Sequence, residues 1–419
     1  MDDTRGYSSL GGRDEHVDDA RLAAAFVSVL KSLGERRKVL ALPPDGTRAH
    51  SKAGVLLKAA YDHYGSALAA VMPALGTHRP LDAEDIRRFF PGVPERLFLP
   101  HDWRHDTVTL GTVPGSFVSG VSEGACAFSW PAQVNRLLVD GDFDLILSLG
   151  QVVPHEVVGM ANHSKNVFVG VGGKEAIDRS HWLGAAYGIE RTLGRVDTPV
   201  RAVLDYTSAH FASDMPILYA LTVVGPDGSG GLATRGFFTG FDRRPFEHAA
   251  ALSAQVNVTK LERKPGTALV WLDPAEYRST WLGNKAIYRT RLAMADGGTL
   301  VIIAPGVDCF GEDPAIDATI RRYGYRGTDS VRALVDSGEL ADDLAGAAHL
   351  VHGSTEGRFR VVYASGLSKD ELEGVGYEWA DPGILTRRYD PARLREGWNA
   401  LDGEDFYFIR NPGLGLWMA

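Results

Sequence analysis

Short apolar runs alternate with amphipathic stretches along most of this chain. Residues 38–42, 69–75 and 143–149 read as strands, each ending in a polar loop. Between the first two, Val55, Leu56, Ala59, Ala60 and His63 recur at helical spacing, which predicts a helix over 52–64. Further helices are expected over 18–33 and 81–90, the latter with Asp82 near its start. Residues 167–171 read as another strand, followed by a helix over 175–187. Residues 216–224 and 232–239 predict a hairpin around Pro226-Asp227-Gly228. A helix over 246–261 then leads into a basic patch at 260–264, the candidate linker. Beyond it come a strand at 268–272, a helix at 276–294, a strand at 299–304, several helices and a strand at 358–364. The first ~15 residues read as a loose tail, and the aromatics Phe406, Tyr407, Phe408 and Trp417 as packing against a domain face.

Strand, polar loop, helix and strand again is the rhythm of a mostly parallel sheet. The expected fold class is α/β, with two α/β domains of mostly parallel sheets and an active site in the cleft between them. The boundaries expected are 1–260 and 261–419, because 419 residues exceed what one hydrophobic core ordinarily supports. Hydrophobic content of 44% and charge of 23% are those of an ordinary globular protein. A net charge of −9 argues against nucleic acid or an anionic membrane as partner. No apolar stretch reaches the ~20 residues that span a bilayer. The polar start lacks a secretory pattern, and Cys126 and Cys309 read as small buried residues, so a cytoplasmic setting is expected.

Three loops carry the candidate chemistry. The first holds Asp45, Thr47 and Arg48, where arginine can grip a carboxylate and aspartate can orient an imidazole. The bland reading is an Asx-stabilised turn with a surface arginine. The second holds Thr77, His78 and Arg79; a lone histidine is more often structural, yet this one can exchange a proton near neutral pH. The third, 154–188, follows a buried strand and contains His155, His163, Lys165, Lys174 and His181. Gly170, Gly172 and Gly173 precede its helix, where backbone amides could approach a phosphate beside Lys174. No H-E-x-x-H occurs. Since His155 and Glu156 are adjacent, their side chains would point apart in an extended segment. His101 and Asp102, close to Trp103 and His105, are candidates for orienting a loop near the site.

Taken together, Asp45-Gly46-Thr47-Arg48, Thr77-His78-Arg79-Pro80, and Pro154-His155 with Lys165 and His181 resemble the lactate racemase family that uses a nickel-pincer nucleotide. Lys285-Ala286, followed by Asp296-Gly297-Gly298, forms a looser fourth block. The resemblance implies a cofactor of nickel held by a pyridinium-3,5-bisthiocarboxylic acid mononucleotide, linked covalently through Lys165, with His181 as the metal's protein ligand. It implies His78 and His155 as acid–base groups on opposite sides of the substrate carbon. Asp45 supports a catalytic histidine, and Arg48 and Lys285 hold the substrate anion. Gly172, Gly173 and Lys174 are the candidates for the nucleotide. The implied activity is racemisation or 2-epimerisation of a small-molecule 2-hydroxy acid by reversible hydride transfer. A proton beside a carboxylate is weakly acidic, and an electron-poor metal-bound ring is an electron sink. The N-terminal domain would bind cofactor, and the C-terminal one would close over substrate, with its last residues packing back on the first.

Two departures from the family pattern matter. Asn162-His163-Ser164 stands where a glycine pair commonly precedes the lysine, and Leu282 replaces the usual glutamine three positions before Lys285. These point to a sugar acid (an aldonate) rather than lactate, with His163 and Asn284 meeting its extra hydroxyls; a short-chain 2-hydroxy acid is the alternative. Two readings of other classes compete: a zinc hydrolase built on His155, His163 and His181, and a non-catalytic nucleotide- or metal-binding module. The oligomeric state is not legible in the sequence.

Overall fold

The computed structural model describes residues 6–228, 231–413 and 415–419; the Thr47 side chain lies outside the described residues. The chain divides into two compact units, Met1–Leu183 with Thr192–Asn257, and Gly184–Arg191 with Val258–Ala419. No helix among the described residues is long and apolar enough to cross a membrane.

In chain order the strands of the first unit are β1 (Ser8–Gly11), β2 (Val39–Leu42), β3 (Leu68–Val71), β4 (Thr107–Val113), β5 (Trp130–Asn135), β6 (Leu145–Gln151), β7 (Pro154–His155), β8 (Gly159–Met160), β9 (Ile217–Pro226) and β10 (Leu232–Gly240). Its main sheet has the order β1-β10-β9-β6-β2-β3. The pairs β2–β3, β2–β6 and β6–β9 are parallel, whereas β9–β10 and β10–β1 are antiparallel. Every residue of β2 and β6 is buried, as expected of central strands covered on both faces. On one face, Ala41, Leu145 and Leu147 pack with Leu22, Phe26 and Leu30 of the helix Asp19–Leu33 and with Leu56, Leu57 and Ala60 of the helix Ala53–Tyr64. Asp18 caps the first of these helices, accepting the Arg21 amide proton at 2.7 Å.

The second unit contains β11 (Val258–Lys260), β12 (Thr267–Trp271), β13 (Thr299–Ala304), β14 (Arg360–Ser365), β15 (Glu378–Trp379), β16 (Gly397–Leu401), β17 (Glu404–Ile409) and β18 (Leu416–Met418). Its sheet, β15-β14-β13-β12-β17-β16, is parallel apart from the edge strand β16. Both units are therefore α/β with mostly parallel sheets.

Several expectations are corrected. Residues 8–11 are not part of a loose tail but form β1, whose backbone completes the edge of β10. Residues 167–171 are not a strand: Ser164–Phe168 is a short helix followed by a turn, and its burial on nearly all sides hides the helical period. The helix expected over 276–294 is two short ones, Thr280–Gly283 and Lys285–Thr290, because Ser279 starts the first by capping the Leu282 amide. The helix expected to reach 261 ends at Val256, and β11 follows it. The antiparallel pair β4–β5 was not among the expected strands. Phe406 and Phe408 belong to β17 and pack on Leu269, Val301 and Ile303 of its own unit, and Trp417 lies in β18, paired with β11. Cys126 is buried and Cys309 only half-buried, both as free thiols.

Candidate active site

The chain runs from β2 to its neighbour β3 on one side, then returns to β6 on the other side of β2. At such a reversal the loops leaving the carboxyl ends of adjacent parallel strands diverge and open a place for a ligand. The loops after β2, β3 and β6 carry Asp45, His78 and His155. Backbone bonds continue the sheet past β3, from the Met72 amide to the Ala41 carbonyl and from Ala74 to Pro43, both 2.8 Å. These bonds hold the first two loops together.

Asp45 is buried, and its carboxylate pairs with Nδ1 of the half-exposed His78. An ionised carboxylate only accepts, so Nδ1 carries the proton and Nε2 presents its lone pair. Asp45 also offers a counter-charge for the imidazolium that forms when Nε2 takes a second proton. Arg48 follows on the tight turn Gly46–Ser51 and is half-buried.

His155 has the opposite polarity. It ends β7 and is 7% exposed, and the Val157 amide donates to its Nδ1 at 3.1 Å. Its neutral form therefore carries the proton on Nε2. Glu156 does not point away as adjacency in an extended segment suggested. It sits in the turn between β7 and β8, with a carboxylate oxygen 4.0 Å from His155 Nδ1.

Lys165 stands on the helix Ser164–Phe168, whose neighbour Asn166 donates from Nδ2 to the Leu42 carbonyl at the end of β2 (3.0 Å) and to Ser148 Oγ in β6 (3.1 Å). The Gly76 amide, in the His78 loop, donates to the Gly170 carbonyl at 2.8 Å. Burial lowers the Lys165 ammonium to about 8, and the Arg48 charge adds to the effect while Asp45 and Glu156 oppose it. His181, in the helix Lys174–Tyr187, donates from Nδ1 to the Ile177 carbonyl one turn back at 2.7 Å. That bond leaves Nε2 as a lone-pair donor of fixed orientation, the arrangement found in metal-ligating histidines. Burial lowers His181 to about 4; the charges of Lys165 and His78 add to this, and Glu156 opposes it. Asp45, Arg48, His78, Glu156, Lys165 and His181 thus share one electrostatic neighbourhood. His155 joins it beside Glu156.

Other candidates lie elsewhere. The Lys174 ammonium pairs with Asp178 on the next turn, and its amide donates to the Trp103 carbonyl at 3.1 Å. Gly172 and Gly173 are glycines for packing reasons: a Cβ would come within 2.3 Å of the Phe168 carbonyl oxygen and 2.4 Å of Gln133 Oε1, respectively. The expectation that these three residues receive a phosphate therefore finds no support in the packing. His101 is buried between the Gly172 carbonyl (2.9 Å) and the Asn135 amide (3.0 Å), so it fixes the loop before the His181 helix. His163 stacks on Tyr219 and donates to the Asp242 carbonyl at 3.0 Å, and Asn284 is fully buried beside the Tyr325 and Tyr377 hydroxyls. Neither is placed to meet a substrate hydroxyl, so both arguments for a sugar acid that used them are withdrawn. Lys285 begins a helix of the second unit, half-buried, with its ammonium 6.0 Å from the Tyr277 ring centroid.

Among the described residues no three histidine, cysteine, aspartate or glutamate side chains gather to hold a metal. Asn166 and Arg201 escaped sequence reasoning, because their partners lie up to 124 residues away in the chain, and Glu156 was read as pointing away because the turn that holds it was not foreseen.

Part of the chain matches a family model, and two solved structures share its fold. Residues 28–187, which include the Asp45, His78, His155, Lys165 and His181 positions, match the family model described as the lactate racemase N-terminal domain. A crystal structure of a Thermotoga maritima protein is similar at 25% identity and a TM-score of 0.82, over 97% of this chain and 99% of that one. The lactate racemase apoprotein from Thermoanaerobacterium thermosaccharolyticum is similar in fold, with a TM-score of 0.70 at 15% identity, over 100% of this chain and 96% of that one. No curated protein matches the chain. Residues 28–187 are thus similar to the lactate racemase N-terminal domain, and the whole chain shares the fold of the two solved structures.

Proposed function

We propose that this protein is an isomerase, a racemase or 2-epimerase of 2-hydroxy acids. The observation that supports this best is the opposed polarity of two histidines at neighbouring strand ends, which in their neutral forms present a lone pair at His78 Nε2 and an N–H at His155 Nε2. Inverting a hydroxylated carbon moves the oxygen from one side to the other, so one group must accept the hydroxyl proton and another must return one.

The residues present fit the nickel-pincer nucleotide. His181 Nε2 is a free-standing lone pair held in place by the Ile177 bond, and Lys165 is a buried amine that is substantially neutral near pH 8. When bound there, the cofactor would supply an acceptor for the hydrogen and electron pair leaving C2. His78 would take the hydroxyl proton, with Asp45 stabilising the resulting imidazolium. His155 would return a proton from Nε2 as its imidazolium when the flattened 2-keto acid takes hydrogen back on its other face, and the neutral ring is left behind. Forming that imidazolium puts a proton on Nδ1 at the cost of the Val157 amide bond, with the Glu156 carboxylate nearby as counter-charge. Arg48 would hold the carboxylate. A preference for an aldonate over lactate now rests on Leu282 alone.

The test is carried out with protein co-produced with the cofactor's biosynthetic enzymes. His78→Ala and His155→Ala should each lower turnover by about 10²–10⁴-fold, the range of a single acid–base group, at unchanged nickel content. Loss of nickel with turnover per nickel preserved would contradict the assignment.

A further inference from the structure

Two residues just ahead of Ser164-Lys165 occupy backbone conformations that glycine ordinarily supplies. Asn162 has φ +69°, and His163 combines φ +59° with ψ −134°, a region nearly closed to residues bearing a Cβ. Such outliers persist only where their surroundings over-determine them, and here the surroundings are identifiable. The His163 ring lies 3.8 Å from the Tyr219 ring centroid and 5.4 Å from that of Phe246, and it is 4% exposed. Its Nε2 donates to the Asp242 carbonyl, and its Nδ1 has no hydrogen-bond partner among the described residues. Arg201, fully buried with its guanidinium 4.2 Å from the Phe246 centroid, reaches both ends of the strained pair. It donates to the Met160 carbonyl (2.8 Å), the Asn162 carbonyl (3.1 Å) and Ser164 Oγ (2.8 Å). The Asn162 carboxamide oxygen accepts the His163 amide at 2.7 Å. On the far side of Lys165, Asn166 is tied to β2 and β6.

We propose that His163 and Arg201 form a buried clamp that positions the Lys165 amine, the ring compensating for a backbone conformation that its own Cβ disfavours. This deepens the proposed function and rests on Lys165 being the reactive amine of the site. A polar histidine is buried here without a second partner because its ring, not its titration, is what holds the segment. The clamp also keeps the Arg201 charge near Lys165, in the direction that disfavours the ammonium.

The test uses the full chain without cofactor, so it reads the amine whether or not that amine carries a nucleotide. The protein is trace-acetylated with acetic anhydride at pH 8. Modification of Lys165 is measured by mass spectrometry against exposed Lys264 as internal standard, with folding checked by circular dichroism. His163→Ala keeps the Cβ but removes the ring; the amine regains water and its proton, and the Lys165/Lys264 ratio should fall about fivefold or more. His163→Gly adopts the same backbone freely, with Arg201 still gripping both sides, so its ratio should stay within about twofold of the parent. A residue that merely filled space would show the reverse rank, because glycine leaves the larger void. Glycine equal to or worse than alanine, or an unchanged ratio in alanine, overturns the proposal. Arg201→Lys gives an independent reading should the alanine variant not fold: the ratio should fall, and an unchanged ratio overturns the clamp.

Discussion

At the scale of residues, chemistry here is set by which atom holds a proton. His78 and His155 are the same residue type, yet the neutral tautomer of one is set by Asp45 and that of the other, with the opposite polarity, by a backbone amide. Lys165 shows the same control through charge and burial. Its acetylation rate should rise with pH to a midpoint near 8, where an ordinary lysine gives ~10.4. Arg48→Ala removes the largest charge that opposes the ammonium, so the midpoint should move upward. A parent midpoint near the ordinary value, or a downward move in the variant, would contradict this electrostatic account. The sequence displayed Asp45, His78, His155, Lys165 and His181 because each stands in a loop or helix directly after a strand or at a telling interval. It did not display Glu156 or Arg201, whose roles come from a turn geometry and from contacts across the fold.

At the scale of elements, the sequence was most legible where an apolar run is bounded by polar loops or where apolar residues recur at helical spacing. The strands β2, β6, β9 and β10 and the helices Asp19–Leu33 and Ala53–Tyr64 were expected close to where they stand. Residues 164–168 were not, because a short helix buried on nearly all sides looks like a buried strand. The glycines before the His181 helix misled for a related reason: in sequence a glycine needed for close packing looks like one needed for a ligand. That helix is instead set by His101, which satisfies the Gly172 carbonyl and the Asn135 amide. His101→Leu leaves both groups without this partner and should cost about 1–3 kcal/mol in urea unfolding. An unchanged midpoint and slope would show that the loop does not depend on it.

At the scale of the molecule, the chain crosses between its two units more than once, since Gly184–Arg191 groups with the second. Within that unit Arg291, 1% exposed, is met by Glu190 at 2.7 Å, and Arg332 donates to the Ala186 carbonyl at 3.0 Å. Glu190→Ala strands a buried guanidinium and should destabilise the protein by up to roughly 3 kcal/mol, the low end for breaking a buried pair. No loss of stability would mean that the inserted segment is not held by this contact. The central claim concerns the whole assembly of strand ends, histidines and lysine. Its most direct test is the cofactor-loaded protein acting on single enantiomers or epimers of C2-deuterated 2-hydroxy acids in ordinary water, lactate and gluconate among them, followed by NMR. The account predicts stereochemical interconversion of one such acid with deuterium retained at C2, because the hydrogen moves with its electron pair and the histidines handle only the hydroxyl proton. Washout of the C2 deuterium into solvent, or no interconversion of any 2-hydroxy acid by protein that carries nickel, would contradict it.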